Sequence, residues 1–231
     1  MRFVALALAC AAGVSSSALA SMTFNLATGN RAAQVTFSVS GNNLQVTLTN
    51  TATYDATVPT DLLTAVFFNV NGAPLNLTRT SAILSVGSTV YGAASQPASG
   101  IVGGEWAYKA ASFANGFGYG ISSTGLGDFG SGDVFPGGNL AGPADPDGPQ
   151  YGITTAGDNP ATHNGGLNTE IIHNSVDFVL AGLPNGFSES SITGVRFQYG
   201  TDYSEPGFTV PAPGAAALLG LGSLVIARRR R

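Results

Sequence analysis

The sequence has little charge of either sign. Asp, Glu, Lys and Arg make up 10% of its 231 residues, against about 25% in an average soluble domain. Coiled coils and other long-helix proteins are rich in Glu, Lys and Arg, so this composition argues against them. Hydrophobic residues make up 44% of the chain, which is enough for one core and argues against a disordered protein.

Basic residues and cysteine are especially scarce. Residues 21–210 hold four basic residues against thirteen acidic ones, a net charge of −9. Such a surface repels phosphate backbones, so we expect no nucleic-acid partner. Cys10 is the single cysteine, so the chain cannot build a disulfide framework.

The N-terminal segment is typical of a secretory signal peptide, which we place at residues 1–20. Arg2 gives it a positive start, and Phe3–Val14 is an apolar run too short to cross a bilayer. Ala18 and Ala20 are the small residues that signal peptidase accepts, so we expect cleavage after Ala20. Two alternatives remain at this point, a buried N-terminal helix and a lipoprotein signal at Cys10.

The C-terminal segment, residues 209–231, combines an apolar run with a basic end. Ala215–Ala227 is apolar throughout, and Arg228, Arg229, Arg230 and Arg231 follow it directly. A helix of this run would be about 20 Å long, short of the ~30 Å hydrocarbon core, so it predicts a marginal transmembrane helix. The arginines are expected to stay cytoplasmic and thus to set its topology.

This tail resembles the PEP-CTERM sorting signal, in which a Pro-Glu-Pro-like motif, a short transmembrane helix and an arginine-rich end occur in that order. Pro211 and Pro213 correspond to the two prolines, and Ala212 stands where Glu is usual, which leaves the exosortase subtype open. The resemblance implies processing by exosortase, transient anchoring in the inner membrane and delivery to the cell surface or extracellular matrix. A plain tail anchor is the alternative.

The middle of the chain also resembles exosortase-dependent bacterial surface proteins. The resemblance is carried by LLTAVFFNVNG, VGGEWAY, YGISSTGLGDFG, DGPQYGITTAGDNPAT and FQYGTDYSEP, between Leu62 and Pro206. That family is defined by export and sorting and has no assigned activity. The resemblance therefore implies a location and no catalytic residue.

Residues 21–208 are expected to form one domain, and several of its stretches alternate between apolar and polar positions with the period of a β-strand. Residues 33–49 predict a hairpin that turns at Gly41-Asn42-Asn43, and Leu62–Val70 predicts a central strand because it is apolar almost throughout. About ten such strands predict an all-β, antiparallel, jelly-roll-like sandwich. Residues 124–168, rich in Gly and Pro, predict a long excursion that either wraps the sandwich or is mobile.

Candidate binding chemistry is sparse. Asp145 and Asp147 lie in a Gly- and Asp-rich stretch and are weak Ca²⁺ candidates, although turn formation is the better explanation for them. His163 and His173 are the only histidines, and without a mature cysteine they do not make a zinc motif. We therefore predict no metal and no other cofactor.

Enzymatic activity is not indicated by any motif. Glu105 and Glu170 are candidates for a glycosidase pair by residue type alone. Two aromatic pairs, Trp106 with Tyr108 and Phe117 with Tyr119, can each share a strand face and stack on sugar rings if exposed. The sequence thus predicts a structural or interaction protein, with exopolysaccharide as a candidate partner and a carbohydrate-binding module or glycoside hydrolase as the alternative.

Overall fold

Strands, short 3₁₀ turns and loops make up the computed structural model, which describes residues 20–127, 139–140, 146 and 148–212. Its strands are β1 (Ser21–Thr28), β2 (Arg31–Ser40), β3 (Asn43–Asn50), β4 (Leu63–Val70), β5 (Thr78–Leu84), β6 (Thr89–Tyr91), β7 (Ala107–Ala110), β8 (Tyr119–Ser122), β9 (Ile153–Thr154), β10 (Ile171–His173), β11 (Ser175–Ala181), β12 (Ile192–Tyr199) and β13 (Gly207–Pro211). The all-β prediction is confirmed. The predicted signal helix and transmembrane helix fall on residues 1–19 and 213–231, outside the described residues. Within the described ranges no helix has the length and apolarity needed to cross a membrane.

The first sheet has the order β1-β2-β3-β11-β5 and is antiparallel throughout. The predicted hairpin is confirmed: Ser40 pairs with Asn43, and Gly41 takes the positive φ of 61° that the tight turn requires. Inward side chains such as Phe37 and Val46 are fully buried, whereas polar side chains occupy the outer face. This sheet therefore buries one face only.

The second sheet has the order β13-β12-β4-β9-β10-β6, with the β7–β8 hairpin paired to β4 through β8. The prediction of a wholly antiparallel sandwich is wrong here, because β9 and β10 run parallel. Parallel neighbours need a long crossover, and residues 155–170 supply it. Part of the Gly- and Pro-rich stretch thus belongs to the sheet as β9 and its crossover.

Strand β4 is the centre of the second sheet, as its sequence predicts. Val66 and Phe68 join the core between the sheets, and Ala65 and Phe67 join a smaller apolar cluster on the opposite face. That cluster includes Phe113, whose ring centroid lies 5.0 Å from that of Phe67. Strand β4 is therefore covered on both faces, which is why its sequence does not alternate.

Large aromatic side chains fill the space between the two sheets. Trp106 from the second sheet lies 5.0 Å from Phe178 of the first, measured between ring centroids. Phe37 lies 5.2 Å from Phe68, and Phe68 stacks on Tyr119 at the same distance. These contacts join the sheets into one sandwich-like body.

The predicted excursion is ordered where it is described. Ile153 and Leu167 are fully buried, and Tyr151 packs against the main core. Two other aromatic residues of this stretch, Phe129 and Phe135, lie outside the described residues. At the C-terminal side, β13 runs across the expected domain boundary between residues 208 and 209.

Candidate functional site

Three of the residues predicted for export and sorting, Ala20, Pro211 and Ala212, lie at the two ends of the folded body. Ala20 is exposed directly before β1, and Pro211 is the last residue of β13. The backbone N–H of Ala212 donates to the carbonyl oxygen of Thr193 at 3.0 Å, which continues the pairing of β13 with β12. The remaining predicted residues fall outside the described part of the chain: Ala18, Pro213, Arg228, Arg229, Arg230, Arg231 and the calcium candidates Asp145 and Asp147.

The four aromatic residues proposed for sugar stacking are all buried. Trp106 is fully buried, and Tyr108, Phe117 and Tyr119 are at most 8% exposed. The Tyr119 hydroxyl oxygen accepts a hydrogen bond from the backbone N–H of Leu75 at 2.7 Å. These side chains therefore stabilise the body and do not form an accessible row.

The two glutamates singled out by residue type both act electrostatically on Tyr151. Burial raises the pKa of the Tyr151 hydroxyl, and the negative charges of Glu105 and Glu170 raise it further. The backbone N–H of Tyr151 also donates to the carbonyl oxygen of Glu170 at 2.7 Å. This arrangement places two acids around one tyrosine without showing how they would act on a substrate.

A polar cluster that the sequence did not predict contains both histidines. His163 Nε2 lies 2.8 Å from Asp158 Oδ2, and His173 Nε2 lies 3.8 Å from the same oxygen. The Tyr91 ring contacts both imidazoles, edge-on to His163 and stacked on His173, with centroid separations of 5.7 and 5.9 Å. We call Tyr91, Asp158, His163 and His173 the histidine cluster.

The second sheet and its crossover bring the histidine cluster together. His173 ends β10 and Tyr91 ends β6, and because Ile171 pairs with Tyr91 these two side chains lie diagonally on neighbouring strands. Asp158 and His163 come from the crossover. Gly92, at φ 81°, allows the chain after β6 to pass Thr169, whose carbonyl oxygen would lie 2.8 Å from any Cβ at that position.

The crossover is held in place by the connection between β3 and β4. Asp158 Oδ1 accepts a hydrogen bond from the backbone N–H of Ala56 at 2.8 Å, and the Thr162 hydroxyl donates to the Ala56 carbonyl oxygen at 3.2 Å. Leu167 packs with Ala56 and Ile171 in a small buried cluster. The carboxylate of Asp158 is thus held by a contact that involves neither histidine.

Burial dominates the electrostatics of the histidine cluster. The Asp158 side chain is fully buried, and those of His163 and His173 are 3% and 15% exposed. Burial lowers the pKa of His173, and the positive charge that His163 can carry lowers it further, whereas the negative charge of Asp158 opposes both. His173 Nε2 is buried and has no hydrogen-bond partner. Across the described residues, no three His, Cys, Asp or Glu side chains stand in a ready-made metal-binding arrangement.

Local sequence gives almost no signal for this cluster. The histidines are ten residues apart and lie in different elements. An aspartate such as Asp158, in a stretch rich in Gly and Pro, is typical of a turn. The parallel pairing of β9 and β10 brings the members of the cluster together: it places Thr154, where the crossover begins, beside His173 at the end of β10. Comparison of the chain with protein-family models, curated proteins and solved structures finds no match.

Proposed function

We propose that this protein is a bacterial envelope protein that is exported, held briefly in the inner membrane and released to the cell surface or extracellular matrix by exosortase. The observation that carries the proposal is the extent of the folded body. Strand β1 begins at Ser21, directly after the expected signal cleavage, and β13 ends at Pro211, the first residue of the sorting motif. Both expected cuts would therefore leave the two sheets intact.

In this proposal the tail acts as a temporary anchor. Ala215–Ala227 pauses translocation, and Arg228–Arg231 keep the end of the chain cytoplasmic. Signal peptidase and exosortase are the maturation partners. Pro211 is exposed on an edge strand, where a missing N–H is tolerated, so the motif begins on the surface of the body.

The proposed role of the released body is structural or interactive and not enzymatic. Its support is the burial of Trp106, Tyr108, Phe117 and Tyr119, which serve the core and leave no stacking platform among themselves. We also propose a jelly-roll-like topology, because the chain crosses repeatedly between the sheets, as it does from β3 to β4 and from β4 to β5. Exopolysaccharide remains the candidate partner.

The tail is tested by three sets of variants in hosts with and without exosortase. Polar substitution of Leu218, Leu219 and Leu221 is expected to release unprocessed protein, because polar groups cost up to ~3 kcal/mol each at a helix centre. Isoleucine at the same three positions is the matched control and should be processed normally. Replacing Arg228–Arg231 with serine should loosen the orientation and reduce retention.

The sorting motif itself is tested by replacing Pro211 and Pro213 with alanine. Membrane insertion should persist while cleavage stops, because these residues would be read by the enzyme and not by the lipid. Normal release of the double variant would contradict a role for the motif.

The alternative is a glycoside hydrolase that would use Glu105 and Glu170 as its pair of carboxylates. Purified protein is incubated with the exopolysaccharide of its host, and new reducing ends are measured. The structural proposal predicts no release, and Glu105→Gln and Glu170→Gln should behave like the unaltered protein. Release that either substitution abolishes would favour the hydrolase.

A further inference from the structure

We propose that Asp158, His163 and His173 bind one divalent first-row transition-metal ion, with Zn²⁺ as the expected ion. The three donors are two imidazole nitrogens and one carboxylate oxygen, the ligand types that zinc accepts. Both histidines of the chain direct the same atom, Nε2, toward the same oxygen, Asp158 Oδ2. This site goes beyond the proposed sorting and structural role and does not depend on it.

The donor separations lie on either side of the value that a metal requires. With metal–ligand bonds of about 2.0–2.1 Å in tetrahedral geometry, two donors lie about 3.3 Å apart. The separations from Asp158 Oδ2 are 2.8 Å to His163 Nε2 and 3.8 Å to His173 Nε2. A shift of about 0.5 Å in each imidazole, one away from the carboxylate and one toward it, would bring both to the bonding distance.

One donor of the proposed site, His173 Nε2, has no hydrogen bond to give up when it binds an ion. His173 Nε2 makes no hydrogen bond although it is buried, and such atoms are rare unless a water or an ion completes them. His173 is therefore ready to ligate, whereas His163 must first exchange its contact with Asp158.

For His163 Nε2 to leave its hydrogen bond with Asp158 and bind the ion, the imidazole of His163 must change its tautomer. His163 Nε2 and Asp158 Oδ2 lie at hydrogen-bond distance, 2.8 Å apart, and in that contact the imidazole nitrogen is the donor to the carboxylate. Metal binding requires the His163 proton on Nδ1, so that Nε2 and Oδ2 both bond to the ion. Asp158 keeps its orientation meanwhile, because Oδ1 is held by the Ala56 N–H at 2.8 Å, the kind of outer contact that orients metal ligands.

Tyr91 is the most exposed member of the histidine cluster. Its residue is 44% exposed, and its ring covers both imidazoles. The His173 side chain is the more exposed of the two imidazoles, so an ion would reach it first. Three protein ligands leave a fourth tetrahedral position, which water would fill.

The experiment is a calorimetric titration of the full chain, purified in detergent after treatment with chelator and carrying Cys10→Ser to remove the thiol. We expect one Zn²⁺ per chain, no binding of Ca²⁺, which prefers six to eight oxygen ligands, and a melting temperature raised by about 5–10 °C at a hundredfold excess of Zn²⁺ over Kd. Co²⁺ should give the visible absorption of a tetrahedral site.

The variants decide whether these three residues are the ligands. His173→Gln removes the imidazole that has no hydrogen bond at Nε2, so its fold should persist, as checked by the fluorescence of Trp106. Its affinity for Zn²⁺ should fall at least about tenfold, and Asp202→Asn, an exposed acid elsewhere, should bind as the parent does. Absence of Zn²⁺ binding, or equal affinity in His173→Gln and the parent, would overturn the proposal.

Discussion

The two sheets of this body use their outer faces differently. The first sheet leaves Thr36, Thr47 and Asp177 on a polar outer face, whereas the second covers Ala65 and Phe67 completely. A strand with one face exposed to solvent must alternate between apolar and polar residues, whereas a strand covered on both faces need not. The comparison shows why β2 and β3 of the first sheet alternate between apolar and polar residues, and why β4 of the second sheet is apolar almost throughout.

The largest expected effect comes from opening the covered outer face of the second sheet. Phe67→Ala should lower the free energy of unfolding by about 3–5 kcal/mol, because it leaves a cavity beside Phe113. Ile83→Ala, on the outer face of the first sheet and 39% exposed, is the matched control and should cost about 1 kcal/mol or less. Urea unfolding followed by Trp106 fluorescence measures both, and equal losses would remove the distinction between the sheets.

A smaller loss in the free energy of unfolding than that of Phe67→Ala is expected where a polar side chain joins the two sheets. The buried Asn50 in β3 donates from Nδ2 to the carbonyl oxygen of Ile153 in β9 at 2.9 Å. Asn50→Ala should cost about 1–3 kcal/mol, because that carbonyl is left buried without its donor. The exposed Asn25→Ala should stay within about 0.5 kcal/mol of the parent in the same urea experiment. A loss in Asn50→Ala no greater than that in Asn25→Ala would argue against this link.

Hydrogen bonds on the outer face of the first sheet should contribute less to the free energy of unfolding than the buried one made by Asn50. The Thr47 hydroxyl donates to Asp177 Oδ1 at 2.6 Å across β3 and β11. Thr47→Val keeps the β-branched shape and removes the donor, so we expect a loss of about 0.5–1.5 kcal/mol. A loss as large as that of Phe67→Ala would show that this face carries a buried contact as well.

The smallest expected effect concerns the loop over the second sheet. The backbone N–H and hydroxyl of Ser204 lower the pKa of Asp202, so the folded state favours the carboxylate. This contribution to stability is complete above the unfolded pKa of 3.8 and is lost as the pH falls through the lower, folded pKa. Melting temperatures measured down to about pH 2.5 should fall less steeply for Asp202→Asn than for the parent. Identical slopes would contradict this role.

Alternation and turn chemistry were sufficient to predict part of the fold. The hairpin at Gly41 and the central strand at Leu63–Val70 are confirmed, since each follows from local pattern. Strand β1 was not predicted, although Met22, Phe24 and Leu26 alternate with polar residues as a strand with one buried face does. Strand β13 was not predicted either, because its residues were read as part of the tail.

The histidine cluster could not be predicted, for a different physical reason. Its members are brought together by the crossover between β9 and β10 and by the position of β6 beside β10. Neither β9 nor β6 shows a periodic pattern in the sequence, because β9 has two residues and β6 has three. Residue type alone suggested Glu105 and Glu170, and it gave no reason to join Asp158 with His163 and His173.

The most direct test of the proposed function is the identity of both terminal peptides of the protein recovered from the cell surface. Mass spectrometry should find Ser21 at the N-terminus and an end near Pro211–Pro213 at the C-terminus, and the C-terminal cut should vanish in a host without exosortase. Released protein that ends at Arg231 in both hosts, or that keeps Met1 or a lipid on Cys10, would contradict the account.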